Sequence, residues 1–331
     1  MRILVFEFIT GGGLNNKPLP HSLVQEGELM RLALLLDLMA MPAIEVSLLH
    51  DPRVPLDKLM VDNQMIKIIP ITPQQDFWQV LAEQAPLCDA VWPIAPESEG
   101  ILEAISYWVE ESGLKLLGSS SEAVALTADK YRLFKRLEHQ GIPVVKTYTF
   151  AELDVLPSGP WVLKPRDGVG CEGIVQVKSI VGFKAVTDPE RFIIQPFEAG
   201  KLLSLSCLFK GGRGALICMN EQRVKQNEET FELERITVNV DQMMPEMPAM
   251  VEQLANTIPG LWGYVGIDLI LSTEGLKVLE VNPRLTTAYS GIRLALGSNL
   301  GASIIALLTG GIDFKAQSNQ SIIVEIPREK R

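Results

Sequence analysis

The chain has 331 residues, 47 % of them hydrophobic, and its 30 Lys and Arg against 40 Asp and Glu give a formal net charge of −10. That length accommodates roughly two or three domains, the acidic balance argues against a general nucleic-acid binder, and no apolar run approaches the ~20 residues of a membrane-spanning helix. Four cysteines (Cys88, Cys171, Cys207, Cys218) without C-x-x-C spacing read as reduced thiols of a cytoplasmic protein, and three scattered histidines (His21, His50, His139) suggest no metal site.

The first residues, Met1 to Phe8, form a β-strand candidate. They carry one positive charge, an acid within the apolar stretch and no small-residue cleavage site, which excludes a signal peptide. The strand runs into Thr10-Gly11-Gly12-Gly13. A dinucleotide fingerprint would need a third glycine where Asn16 stands, so the glycines read either as a turn or as a place where backbone approaches a small substrate. A helix over 24–41 has apolar residues at helical spacing and stops before Pro42. Strands at 45–49, 65–71 and 90–95 then alternate with helices at 77–84 and 101–112. Such alternation predicts a parallel α/β layer, in which ligands sit beyond the C-terminal strand ends. Glu7 to Thr10 and Pro96-Glu97 lie at such ends, and Glu97 is a candidate for holding an amine or, equally, a solvated acid at a helix start.

Ser119-Ser120-Ser121-Glu122 supplies helix-capping chemistry, and a second helix spans 129–137. Residues 161–165 are a strand with Lys164 near its end, followed by Arg166-Asp167-Gly168-Val169-Gly170-Cys171-Glu172-Gly173 and a strand over 174–177. A glycine loop after a lysine can fold its N–H groups over phosphate oxygens, although the Walker A pattern is absent. The strand 191–196 stops at Pro196. Backbone groups freed at Gln195-Pro196-Phe197-Glu198 can read an adenine edge, and Glu198 can accept from ribose hydroxyls. An antiparallel pair follows at 202–209 and 214–219. Residues 222–234 read as a polar loop, 249–257 and 298–309 as helices, and 321–326 as a last strand before a basic tail.

Two apolar strand candidates, 265–270 and 277–282, each carry an acid in their interior. Joined through Ser272-Thr273-Glu274-Gly275, they would bring Asp268 close to Glu280, with Asn282 on the same face as Glu280. An unpaired buried carboxylate is costly, and a hard divalent cation with oxygen ligands is the natural counter-charge.

In order and spacing, Lys130, Lys164 with its glycine loop, the Gln-Pro-Phe-Glu hinge, and Asp268 with Glu280-x-Asn282-Pro283-Arg284 resemble the ATP-grasp superfamily of carboxylate–amine ligases, over residues 119–311. The opening Leu4 to Gly13, Ala95-Pro96-Glu97 and Arg284 to Ser290 resemble, more particularly, members that join tyramine to the γ-carboxyl of glutamate in methanofuran-type cofactor synthesis. The resemblance implies an α/β protein. A Rossmann-like parallel domain (1–118) would precede an ATP-grasp fold made of a small lobe with a glycine-rich lid (119–197) and a C-terminal lobe with metal-binding acids (198–331).

It also implies ATP and Mg²⁺ (or Mn²⁺) as cofactors, small carboxylate and amine substrates, and no nucleic acid or membrane partner. A homodimer is the default expectation for such an enzyme. Lys130 and Lys164 would contact the phosphates under Gly168, Val169, Gly170 and Gly173. Gln195, Pro196, Phe197 and Glu198 would bind adenine and ribose, and Asp268, Glu280 and Asn282 the metal. Arg284, with Lys164, would act in catalysis by stabilising the transferred phosphoryl group or the substrate carboxylate. Thr286, Thr287 and Ser290 would line the acceptor site, with Glu7, Thr10, Gly11 and Glu97 nearby. Two features depart from the pattern. Leu202-Leu203-Ser204 stands where many members have an acid, and 261–266 lacks their arginine, leaving Arg284, Arg293 or Arg223 to supply that charge if any does. Two other readings fit less of the chain: a D-alanine–D-alanine type ligase and a non-catalytic nucleotide-binding protein.

Overall fold

The computed structural model describes residues 1–153, 159–168, 173–177, 186–227, 230–241 and 243–326. Its first layer is a five-stranded parallel sheet of β1 (Arg2–Glu7), β2 (Glu45–His50), β3 (Ile66–Pro70), β4 (Ala90–Ile94) and β5 (Lys115–Leu116), in the order β3-β2-β1-β4-β5. The helices α1 (His21–Met39), α2 (Lys58–Val61), α3 (Phe77–Gln84) and α4 (Ile101–Glu111) connect these strands. The central strand β1 is buried from Ile3 onward, as expected for a parallel strand covered on both faces. Glu7 closes β1, and Glu97 lies just past β4, so both acids stand at the C-terminal edge of the sheet.

Next come α5 (Ser121–Ala128), whose N-cap Ser120 accepts from the Ala123 N–H, and α6 (Lys130–His139), whose N-cap Asp129 accepts from Tyr131 and Arg132 N–H. The remaining strands form one antiparallel sheet: β6 (Trp161–Pro165), β7 (Val175–Val177), β8 (Phe192–Pro196), β9 (Lys201–Lys210), β10 (Arg213–Asn227), β11 (Thr230–Val238), β12 (Gly263–Ser272), β13 (Gly275–Asn282) and β14 (Ile322–Glu325). The order is β13-β12-β9-β10-β11-β7-β6-β8, with β14 on β11. Further helices span Glu246–Thr257, Tyr289–Leu296 and Leu300–Ala306.

The polar segment 222–234, expected to be a loop, is instead the outer half of β10 and most of β11, paired from Glu221↔Thr237 to Asn227↔Thr230. Its polarity belongs mostly to one face, with Gln222 on the other. Val224, Phe231 and Leu233 recur at the two-residue spacing of a strand and line a cavity, while Arg223 and Lys225 face water. Val169 and Gly170, and the basic tail, lie outside the described residues.

One polar clamp docks the two layers. Asp37 on α1 accepts from the Tyr289 hydroxyl (2.6 Å), the Gly301 N–H (3.1 Å) and Arg293 Nη1 (2.9 Å), while Asn299 Nδ2 donates to the Asp37 carbonyl (2.8 Å). Buried donors and acceptors satisfied in this way fix register as well as add stability. The consequence is that α1 of the parallel layer faces Thr287, just beyond the end of β13.

Candidate active site

The β12–β13 hairpin has the register that its sequence predicts. Asp268 pairs with Glu280 and Gly266 with Asn282, with a bulge between Asp268 and Leu269. Gln222 Nε2 donates to Asp268 Oδ1 (2.8 Å), and Asn282 Nδ2 donates to Oδ2 (3.0 Å). Burial, and then the nearby Glu280 carboxylate, push the Asp268 pKa up to about 6 against the two amide hydrogen bonds. Two crowded carboxylates and one amide oxygen are the donors a hard cation takes. Among the described residues no three His, Cys, Asp or Glu converge on a metal position, so such an ion would complete its shell with water and phosphate oxygens. The donor set therefore fits Mg²⁺ or a similar divalent cation.

A cavity of about 320 Å³ opens beside this cluster. Asp268, Glu280, Asn282, Lys164, Arg284, Thr286 and Thr287 lie in its wall together with Gln195, Pro196, Phe197 and Glu198. Val145, Val162 and Leu279 add apolar surface, the kind that a flat heterocycle needs. Gln195 is held by its Nε2 donating to the Thr147 hydroxyl (2.9 Å). The Phe197 N–H donates to the Pro160 carbonyl (2.9 Å), so this hinge donor is taken within the protein. Glu198 Oε1 accepts from Lys277 (2.7 Å), but its buried Oε2 has no partner, as suits an acceptor for a sugar hydroxyl.

Lys130 opens α6 just outside the cavity wall. Its ammonium lies 3.5 Å from Glu280 Oε1 and donates to the Gly168 carbonyl, linking the Asp268–Glu280 pair to the start of the glycine loop. Asp167 Oδ2 accepts from the Glu99 N–H (3.0 Å), so this end of the loop also touches the parallel layer. Gly173, at the other end, has φ +70°, where a side chain would be strained.

Arg284 follows Asn282 by two residues. Its Nε and Nη2 donate to Glu97 Oε2 (3.0 and 2.8 Å), and its Nη1 donates to the Leu285 carbonyl (3.1 Å). Burial works against its charge, but Glu97, Glu26 and Glu7 outweigh that and raise its pKa. Of the three arginines considered for the missing upstream charge, Arg293 is engaged by Asp37 and Arg223 by Glu234 (3.2 Å), whereas Arg284 is at the cavity. Thr286 is positioned by a buried chain: Asn220 Nδ2 donates to Ser206 Oγ (3.1 Å), which lies 3.0 Å from the Tyr264 hydroxyl, itself 2.9 Å from Thr286 Oγ1. Gly266 permits this approach, because a Cβ there would sit 2.5 Å from Thr286 Cγ2.

The remaining expected substrate residues lie apart from the cavity wall. The Glu7 carboxylate accepts from the Ile9 and Thr10 N–H groups (3.2 and 2.6 Å) and the Thr10 hydroxyl (2.5 Å), bracing the glycine turn from within. Gly11 N–H donates to the Glu7 carbonyl (2.7 Å), and Ser290 Oγ donates to the Thr287 carbonyl (2.7 Å). Glu97 is reached through Arg284. Two cavity residues escaped sequence reasoning: Gln222, hidden in the segment read as a loop, and Glu26, a helix acid with no motif around it.

Residues 127–288 match the ATP-grasp domain family, and residues 44–124 match the pre ATP-grasp 3 domain family. The chain belongs to the ATP-grasp superfamily of ATP-dependent carboxylate–amine ligases. Over 300 residues it is 27 % identical to the tyramine–L-glutamate ligase of Methanocaldococcus jannaschii, spanning 88 % of this chain and 84 % of that protein. Among solved structures, an ATP-grasp superfamily protein from Archaeoglobus fulgidus shares the fold with a TM-score of 0.73 and 23 % identity, over 98 % of this chain and 92 % of that one. The N5-carboxyaminoimidazole synthetase of Staphylococcus aureus, solved with ADP, superposes with a TM-score of 0.66 and 16 % identity, over 97 % and 79 %. The pre ATP-grasp match spans β2 to β5, and the cavity lies against the β12–β13 hairpin. No helix among the described residues is long and apolar enough to cross a membrane.

Proposed function

We propose that this ligase joins the γ-carboxyl of glutamate to the amino group of tyramine, with cleavage of ATP to ADP and phosphate. The observation that carries the nucleotide half is the single cavity that gathers Asp268, Glu280 and Asn282, Lys164, and the hinge ending in the unpartnered Glu198 oxygen. The substrate pair rests on the likeness to the M. jannaschii enzyme over most of both chains.

A carboxylate resists amine attack because it is anionic and lacks a good leaving group. Transfer of the γ-phosphoryl group onto it gives an acyl phosphate and ADP. The nitrogen of the free amine then bonds to the carbonyl carbon, the C–O bond to phosphate breaks, and phosphate departs with the electron pair while the nitrogen gives up one proton and keeps the other as the amide N–H. Little of this needs covalent help from protein; it needs positioning and neutralisation of charge. Asp268, Glu280 and Asn282 would hold the divalent cation, which when bound supplies charge neutralisation at the phosphates. Lys164 and Lys130 place two ammonium groups toward the same phosphates. Arg284, anchored by Glu97, orients the acid. The 168–173 loop would shield the acyl phosphate from water.

The test is an ADP-release screen of glutamate with a panel of amines. Tyramine-dependent release is the expected outcome. Release with D-alanine and not with tyramine refutes the substrate pair, and no release with any acid–amine pair refutes ligation.

A further inference from the structure

Beside the phosphate end of the cavity lies a second group of charges. Glu26 of α1 reaches the cavity wall, where its Oε2 accepts from the Thr287 hydroxyl (2.9 Å). Glu97 is 5 % exposed. One of its oxygens takes two N–H groups of Arg284, and the other is buried without a hydrogen-bond partner. Glu7, the third acid of this edge, has its oxygens occupied by its own turn and has Arg31 as a neighbouring cation. Setting Glu7 aside with Arg31, two carboxylates remain for one guanidinium.

A carboxylate in the cavity wall, with no ion pair of its own among the described residues and a hydroxyl that already fixes it, makes a receptor for a compact cation with several N–H donors. A guanidinium is already present as Arg284. A primary ammonium has the single charge and the N–H donors that Glu26 and Thr287 can share.

We infer that Glu26, with Thr287, binds the primary ammonium of a substrate, and that Glu26 is the specificity-determining residue. This rests on the ligase reading above, in which two ammonium groups are available: that of the acceptor amine and the α-ammonium of the donor glutamate.

The test uses the full chain and its Glu26→Gln variant, which keeps the shape of the side chain and an oxygen for Thr287. Steady-state ADP release gives separate KM values for ATP, glutamate and tyramine. A charge-assisted hydrogen bond of this kind corresponds to roughly 10- to 100-fold in affinity. A rise of that size in the tyramine KM, with the ATP KM within about twofold, identifies the acceptor ammonium; the same rise confined to glutamate identifies the donor's. Equal KM values for all three substrates in the two proteins overturn the assignment. Calorimetry in the presence of Mg²⁺ and ADP keeps the test independent of turnover. If the ammonium is the acceptor's, tyramine binds the parent more tightly than Glu26→Gln, while 4-ethylphenol, which lacks the ammonium, binds both alike. In the donor case, glutamate shows the loss. Absence of turnover together with this binding difference defeats the ligase reading and leaves the ammonium site standing; no difference with either ligand defeats the site. Thr287→Val, which removes only the hydroxyl, should shift the same KM in the same direction by a smaller factor.

Discussion

Asp268 is the residue whose replacement separates stability from function most sharply. Its carboxylate is held at a pKa of about 6 against an ordinary 3.8, because it is desolvated and crowded by Glu280. An aspartic acid that binds its proton more tightly when folded favours folding at low pH. That advantage is lost as pH rises from about 3.8 through about 6, and above this window the charged group is a constant liability. The difference corresponds to at most ~3 kcal/mol; bordering a cavity that water can reach, the group retains about 1–2 kcal/mol of it. Asp268→Asn removes the charge, and the amides of Gln222 and Asn282 can turn to present oxygen to the new NH₂ group. The variant should therefore be more stable than the parent by about 1–2 kcal/mol at pH 8 without ligand, and lose that advantage at pH 4.5. Urea unfolding of both proteins at the two pH values measures it. Addition of Mg²⁺ and ADP should raise the unfolding midpoint of the parent and leave the variant nearly unmoved. Equal destabilisation of the variant at both pH values would refute the electrostatic account and make Asp268 an ordinary hydrogen-bonded core residue.

Other consequences can be checked directly. Glu280→Gln should lower the rate of ADP release at least 100-fold while shifting the melting temperature by only a few degrees; near-normal turnover would refute the metal assignment. Lys164→Ala should weaken calorimetric binding of ADP with Mg²⁺ by roughly tenfold or more, and unchanged affinity would remove the lysine from the phosphate site. His50 is buried beside Arg31, and its pKa is lowered to about 4 from 6.5, first by desolvation and then by that arginine. A histidine kept neutral in the fold contributes stability that is intact above about pH 6.5 and fades as pH falls toward 4. His50→Asn should flatten the acid limb of the stability curve by about 1–2 kcal/mol, the ring being only partly desolvated, and an acid limb identical to the parent's would disprove the role.

Most of the geometry of the candidate site was legible because it is local in sequence. Asp268 and Glu280 face one another through a two-residue hairpin connection, and Lys164 and the hinge sit on adjacent strands β6 and β8. Period-two apolar alternation and turn residues report such neighbours directly. The second charge group was illegible for the opposite reason. Glu26 and Thr287 are 261 positions apart and meet only because Asp37 clamps α1 to the C-terminal helices. An acid on an amphipathic helix carries no sign of what will be docked against it. Gln222 was hidden differently: its strand is polar on the outer face, and counting polarity without testing alternation turns such a strand into a loop.

Arg284 joins the two charge groups and explains why both can be tolerated in one cavity. It follows Asn282 by two residues at the end of β13, so the hairpin that presents the metal acids also projects a guanidinium toward Glu97. Burial raises the pKa of both Asp268 and Glu26, and Arg284 opposes that rise at each, which places it within electrostatic reach of both groups. On the proposed reading, a phosphorylated carboxylate must face the cation and phosphates on one side and an approaching amine on the other. A fixed positive charge between two acidic groups is where that carboxylate is most favourably placed. Fixing the arginine with Glu97 removes the reorganisation that a mobile side chain would need as charge shifts during transfer. It also leaves one buried Glu97 oxygen without a partner.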